Sequence, residues 1–242
     1  MSRRRGSDTY ADRMGPSFDA VLFDFHGTVM QAEGAGRWLR GAAADLGLTL
    51  PNDRAEALTE ELVHAGRAGG PTPTRVPEHL AEAFATRDLS RWGHRHLYTS
   101  LYRTVDLPDD RLADVLYERI TRPDGWVPYA DAAEVLAGLR ADAVRLGLVS
   151  NIGFDLRPIL GAHGLLDAFD ELVQSYEVGI QKPGPGIFLL ACDKLGVEPG
   201  RAVMVGDTVA DGGAVAAGLR CLLLPASPPG AVHGLGAVRR LR

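Results

Sequence analysis

Ala20-Val21-Leu22-Phe23-Asp24-Phe25-His26-Gly27-Thr28 is a short apolar run that ends on a carboxylate and a glycine turn. Without polar alternation, such a run fits a strand buried on both faces, as parallel strands are, and its polar residues then gather at the carboxyl end. The run Ala20–Phe25 has four later counterparts: Val144–Ser150, Leu172–Gln174, Ala202–Val205 and Cys221–Leu224. Helical patterns at Asp131–Arg140, Pro185–Leu195 and Ala210–Ala217 alternate with them. That alternation specifies an α/β fold, a doubly wound, Rossmann-like parallel sheet with right-handed crossovers.

One long interval breaks the rhythm. From Glu33 to Pro123 no strand pattern occurs, while Leu97, Leu101 and Val105 recur every four residues, and Leu112, Val115, Leu116 and Ile120 mark another helical face. Turn clusters at Gly69-Gly70-Pro71, Pro108-Asp109-Asp110 and Pro123-Asp124-Gly125 punctuate these helices. The expected organisation is an α/β core over residues 16–31 and 124–242, with an inserted helical cap over 32–123. The basic start, Met1-Ser2-Arg3-Arg4-Arg5-Gly6, is followed by polar residues and not by an apolar export segment, so residues 1–15 are expected to be a disordered tail.

Composition narrows the function. The 242 residues are 45% hydrophobic, enough for a core without disulfides, and the net charge of −5 gives no footprint for nucleic acid. No apolar stretch is long enough to span a bilayer. Cys192 and Cys221 fall in a helix and a strand, and read as small core residues of a reduced, cytoplasmic protein.

In an open parallel sheet, ligands bind beyond the carboxyl ends of the strands. Those ends carry Asp24 and Thr28, then Ser150 and Asn151, then Lys182 in Gln181-Lys182-Pro183, then Asp207 and Asp211 in Gly206-Asp207-Thr208-Val209-Ala210-Asp211. Each has a bland explanation. Asp24 suits a strand-end turn, Asp207 or Asp211 a helix cap, Ser150 and Thr28 local backbone bonds, and Lys182 a solvated loop. All four segments converging on one edge is harder to explain that way.

This constellation resembles the haloacid dehalogenase superfamily, made up mostly of phosphatases. The likeness covers roughly residues 18–30 and 126–225, and the insertion sits where that family places its C1 helical cap. The resemblance implies Asp24 as a nucleophile attacking phosphorus, Ser150 as the second-motif hydroxyl, Lys182 as the third-motif lysine, and Asp207 and Asp211 as the acidic fourth motif. It implies a Mg²⁺ cofactor held by Asp24, Asp207 and the backbone carbonyl of His26, with Asp211 behind them orienting metal waters or Lys182. Hard oxygen donors suit that ion, which shields Asp24 from an anionic substrate. Thr28, Ser150 and Asn151 are expected to contact the phosphate of a small-molecule ester, and Lys182 to neutralise the transferring group.

Position 26 departs from the pattern. Family phosphatases usually carry a second Asp there as acid and base, and this chain has His26. Neutral imidazole accepts a proton from attacking water but is a poor donor to a departing alkoxide. Three other readings share this departure: a metal-free 2-haloacid dehalogenase, a phosphonate hydrolase and a non-catalytic phosphate-binding module. Retained Asp207 and Asp211 oppose the first, and the absence of lysine from Met30 to Pro123 opposes the second. In the insertion, Arg37, Trp38, Arg40, Arg91, Trp92, His94, Arg95, His96, Tyr98, Tyr102 and Arg103 read as a solvated basic face with aromatic bodies packed inward. The stretch Ala231–Val238 is expected to pack on the core without a chemical role.

The departure makes a prediction. His26→Asp is expected to raise turnover of alkyl phosphates, assayed by phosphate release; loss of all activity would mark the imidazole itself as the required group.

Overall fold

The computed structural model describes residues 18–241, so the expected tail lies outside the described residues. Five strands, β1 (Ala20–Phe23), β4 (Arg145–Ser150), β5 (Glu171–Gln174), β6 (Ala202–Gly206) and β7 (Arg220–Leu223), form one sheet in the order β5-β4-β1-β6-β7. Every pairing in it is parallel. Buried residues fill β1 and β6 throughout, which is why their sequences are unbroken apolar runs. Strand order reverses at β1, so the carboxyl ends of β1 and β6 flank the crevice where such sheets bind ligands.

Helices α6 (Ala132–Ala141), α7 (Arg157–Ala162), α8 (Ser175–Val178), α9 (Pro185–Leu195) and α10 (Val209–Gly212) connect the later strands. The pattern at Ala210–Ala217 is only partly α-helical. After α10 the chain tightens into a 3-10 turn over Gly213–Ala217, where the backbone of Pro183 crowds Gly213.

No strand occurs between Ala32 and Trp126, as the sequence indicates. The interval holds α1 (Ala35–Asp45), α2 (Asn52–Gly66), α3 (Ala81–Thr86), α4 (Arg91–Tyr102) and α5 (Leu112–Ile120). Its two roots are tied by a short antiparallel ladder missed by the sequence reading, β2 (Met30–Ala32) with β3 (Trp126–Pro128). Three residues are too few to show a period. Trp38, Tyr98 and Tyr102 pack inward as expected, whereas Trp92 is 75% exposed, stacked on His96.

Glu33, beside this ladder, is buried and forms a bidentate pair with buried Arg119 at 2.5 and 3.0 Å. Arg67 donates to the Glu33 carbonyl at 2.7 Å, and exposed Arg37 reaches its carboxylate at 3.2 Å. Breaking such a pair strands a buried charge. Arg119→Met should therefore cost about 3 kcal/mol in urea denaturation, and the double variant with Glu33→Leu should recover most of it.

Candidate active site

The site is built on the turn that ends β1. The Asp24 N–H still bonds the Val205 carbonyl at 2.9 Å, holding its side chain at the β1/β6 edge. The chain then turns back, with the Phe25 carbonyl accepting from both Val29 and Met30. Gly27 makes the turn possible: its φ is +81°, and a Cβ there would lie 2.2 Å from Asp207 Oδ2. Gly206 works the same way, since a Cβ would meet Asp211 Cγ at 2.2 Å.

Lys182 is the centre of the arrangement. Its buried ammonium donates to Asp24 Oδ1 at 2.5 Å and to Asp211 Oδ1 at 2.6 Å. Burial pulls this lysine down, but the two carboxylates outweigh it and leave it above its ordinary value. The other Asp211 oxygen accepts from the Thr208 N–H and hydroxyl, closing a capping box at the start of α10. One carboxylate is thus both helix cap and lysine partner, and a solvated Lys182 is excluded.

Asp24, Asp207 and Asp211 each bring a carboxylate oxygen within 4.8 Å of the others. Burial pushes Asp24 up to about 7 against the pull of Lys182, and burial with Asp211 nearby pushes Asp207 up to about 6. Three carboxylates facing one ammonium carry surplus negative charge. Their all-oxygen donor set fits a hard divalent cation such as Mg²⁺.

The expected anion contacts divide. Ser150 is buried and makes no side-chain hydrogen bond among the described residues. Thr28 is fully buried, and its Oγ1 is enclosed without a partner. Asn151 has a different, positioning contact: its Nδ2 donates to the Lys182 carbonyl and its Oδ1 accepts the Lys182 N–H, both at 2.8 Å.

His26 borders a cavity of about 160 Å³ beside this cluster, walled by Asn151, Trp126 and Phe154 on one side and Arg87, Asp88, His94 and Tyr98 on the other. Its Nε2 lies 2.6 Å from Gln31 Oε1. The same oxygen accepts the Ala32 N–H at 3.0 Å, so Gln31 presents an acceptor, His26 Nε2 carries the proton, and Nδ1 keeps the lone pair. Burial, with Arg67 and Lys182 nearby, holds this imidazole down at about 4 despite the Gln31 bond. Gln31 is steadied from the C-terminal stretch: its Nε2 is 3.4 Å from both the Tyr129 hydroxyl and the Ser227 carbonyl, and Tyr129 itself donates to Ser227 at 2.8 Å. Ser227, just ahead of the stretch expected to lack a chemical role, therefore helps to support the ring at position 26.

Asp88, Arg87 and Gln31 escaped the sequence reading. Nothing in their spacing marks them, because the fold alone brings the turn before α4 and strand β2 to the edge of the sheet.

A profile of haloacid dehalogenase-like hydrolases matches residues 18–218. The phosphoglycolate phosphatase of Nitrosospira multiformis is 31% identical over 212 residues, covering 85% of this chain and 82% of that protein. Relatives from Mus musculus, Danio rerio and Bos taurus, each a haloacid dehalogenase-like hydrolase domain-containing protein 3, align over shorter stretches, and the chain spans about half their length. Among solved structures, a HAD phosphatase from Thermococcus onnurineus superposes with a TM-score of 0.58 at 26% identity, over 92% of this chain and 97% of that one. A dehalogenase superposes at 0.66 and 25% identity, over 93% and 97%.

The cavity wall also sets an acid sensitivity. His94 is buried with Nδ1 2.9 Å from the Tyr117 hydroxyl, and burial, aided by Arg87, holds it neutral down to about pH 3. Below about pH 6.5 the unfolded chain takes up a proton that folded His94 refuses, so stability falls as pH drops. Between pH 7 and 5 the wild type should lose about 1–2 kcal/mol more than His94→Gln, read from urea midpoints.

Proposed function

The chain belongs to the haloacid dehalogenase-like hydrolases, and from that footing we propose that it is a Mg²⁺-dependent phosphatase of a small phosphorylated metabolite, working through an aspartyl phosphate. The observation that carries this reading is the Lys182 ammonium bridging Asp24 and Asp211 while Asp207 completes a three-carboxylate cluster. Attack on carbon without metal has no use for that much negative charge.

Asp24, Asp207 and the His26 carbonyl are the groups that would hold Mg²⁺, with Asp211 behind them. When bound, the ion supplies the positive charge that lets a carboxylate approach an anionic phosphate. Asp24 attacks phosphorus, and Lys182 stays beside the transferring group to offset its charge. Asn151 and Asp211 keep the lysine aimed. Ser150 offers its hydroxyl to the phosphate oxygens, with Thr28 behind the turn. Neutral His26 takes the proton of the water that hydrolyses the aspartyl phosphate.

The helical residues 32–123 act as a cap whose wall meets His26 across the cavity, and about 160 Å³ supports a substrate of few carbons. Relatives named phosphoglycolate phosphatase and glyceraldehyde 3-phosphate phosphatase point to the same size class. Two unpaired cysteines support a cytoplasmic setting. No helix among the described residues is long and apolar enough to cross a membrane.

Hydrolysis of p-nitrophenyl phosphate with Mg²⁺ and with EDTA tests the reading. Turnover should need the metal and fall at least about 10³-fold in Asp24→Asn. The likeness to a dehalogenase favours the other outcome: no turnover with any metal, and chloride released from a 2-haloacid.

A further inference from the structure

Asp88 sits in a 3-10 turn, Arg87–Leu89, just before α4, and is 6% exposed. Its backbone is fixed to the carboxyl edge of the sheet. The Asp88 carbonyl accepts from Ser175 Oγ at 2.6 Å, and that hydroxyl oxygen accepts the Ile152 N–H at 2.9 Å. Ile152 follows Asn151, the residue that holds the Lys182 backbone. The turn is therefore pinned beside the reacting cluster.

The Asp88 side chain lines the same cavity as His26. Neither carboxyl oxygen has a hydrogen-bond partner among the described residues; the nearest cations are Arg87 Nε at 3.5 Å and, when protonated, His94 Nε2 at 3.7 Å. The Asp88 carboxyl therefore faces the cavity with no donor at hydrogen-bond distance, which leaves it able to carry a proton of its own. Burial raises it above its ordinary value, opposed by Arg87 and Lys182.

The His26 ring directs its Nε2 proton at Gln31, so it presents no proton to a leaving group in the cavity. The other titratable groups around the cavity fit that task poorly. His94 is held neutral and bonded to Tyr117, burial lifts the Tyr98 hydroxyl to about 12, and Arg87 does not release a proton. We infer that Asp88 is a catalytic residue, the general acid that protonates the leaving group of the phosphate ester. This rests on the phosphatase reading above.

The steps balance. As the Asp24 oxygen bonds to phosphorus, the P–O bond to the organic group breaks and its electron pair goes to the departing oxygen. That oxygen takes the proton of the Asp88 carboxyl and leaves as an alcohol. Water then bonds to phosphorus, the Asp24–phosphorus bond breaks, and the water proton goes to His26. It passes through the solvent of the shared cavity to the Asp88 carboxylate, restoring the acid and the neutral imidazole.

Leaving-group dependence tests the assignment. p-Nitrophenolate departs without protonation, whereas an alkoxide does not. With Asp88→Asn and Mg²⁺, the ratio of alkyl to p-nitrophenyl phosphate rates, measured under single turnover, should fall by about 10²-fold or more. Asp88→Glu should restore part of it. Equal losses on both esters, as a structural role would give, overturn the inference while the phosphatase reading stands. Failure of the wild type to hydrolyse either ester with metal overturns both.

Discussion

Lys182 carries a charge into a place where charge is costly, and most of the site's architecture exists to make that tolerable. A buried ammonium loses its hydration and recovers it only through well-aimed counter-charges. Here two carboxylates lie at hydrogen-bond distance, one from the end of β1 and one from the start of α10. The lysine comes from the loop beyond β5 and α8, so three segments far apart in the chain must meet correctly for the pair to form. Asn151 holds the lysine backbone from the end of β4, and Gly206 leaves the space that Asp211 occupies. The parallel sheet brings all of these ends to one edge, because every strand runs the same way.

That dependence explains how much was legible in the sequence. The central strands β1, β4 and β6 are almost wholly buried apolar runs, while β5 and β7 at the sheet edges are only partly buried. The polar residues beyond the strand ends announced Asp24, Ser150, Lys182, Asp207 and Asp211. The helical insertion was visible through its spacing and its lack of strand patterns. What did not show was anything set by close approach between distant segments. The β2–β3 ladder is too short for periodicity. Asn151 read as an anion ligand because its type and place suit one, while its amide is matched to the Lys182 backbone. His94 read as part of a solvated basic face, yet it is 2% exposed, wedged by Tyr98, Tyr117 and Phe154. Sequence assigns a histidine to a helix face, but only packing decides whether that face meets solvent.

The cavity belongs to neither part of the chain alone. His26, Asn151 and Phe154 come from the sheet edge, and Arg87, Asp88 and His94 from the insertion. The insertion meets that edge through polar contacts, Ser175 to the Asp88 carbonyl, Gln181 to the Ala85 carbonyl at 3.2 Å and Arg91 to the Tyr176 hydroxyl at 2.8 Å. It also meets it through a buried apolar cluster that joins Leu97 and Tyr98 to Trp126 and Phe154. The polar contacts exchange with water at modest net cost. The buried Glu33–Arg119 pair holds the root of the insertion in place.

The imidazole at position 26 belongs to the same design. Gln31 is committed as an acceptor by the Ala32 N–H, so it is matched to a ring that donates from Nε2. The ring is also edge-on to Trp126, at 5.6 Å between centroids. A histidine left behind by the loss of an aspartate has no need of a dedicated acceptor and an aromatic neighbour. Those partners favour a neutral imidazole as the intended group, one whose Nε2 proton is already committed to Gln31. On the proposed reading the proton donor is Asp88, which the insertion carries to the cavity that His26 lines.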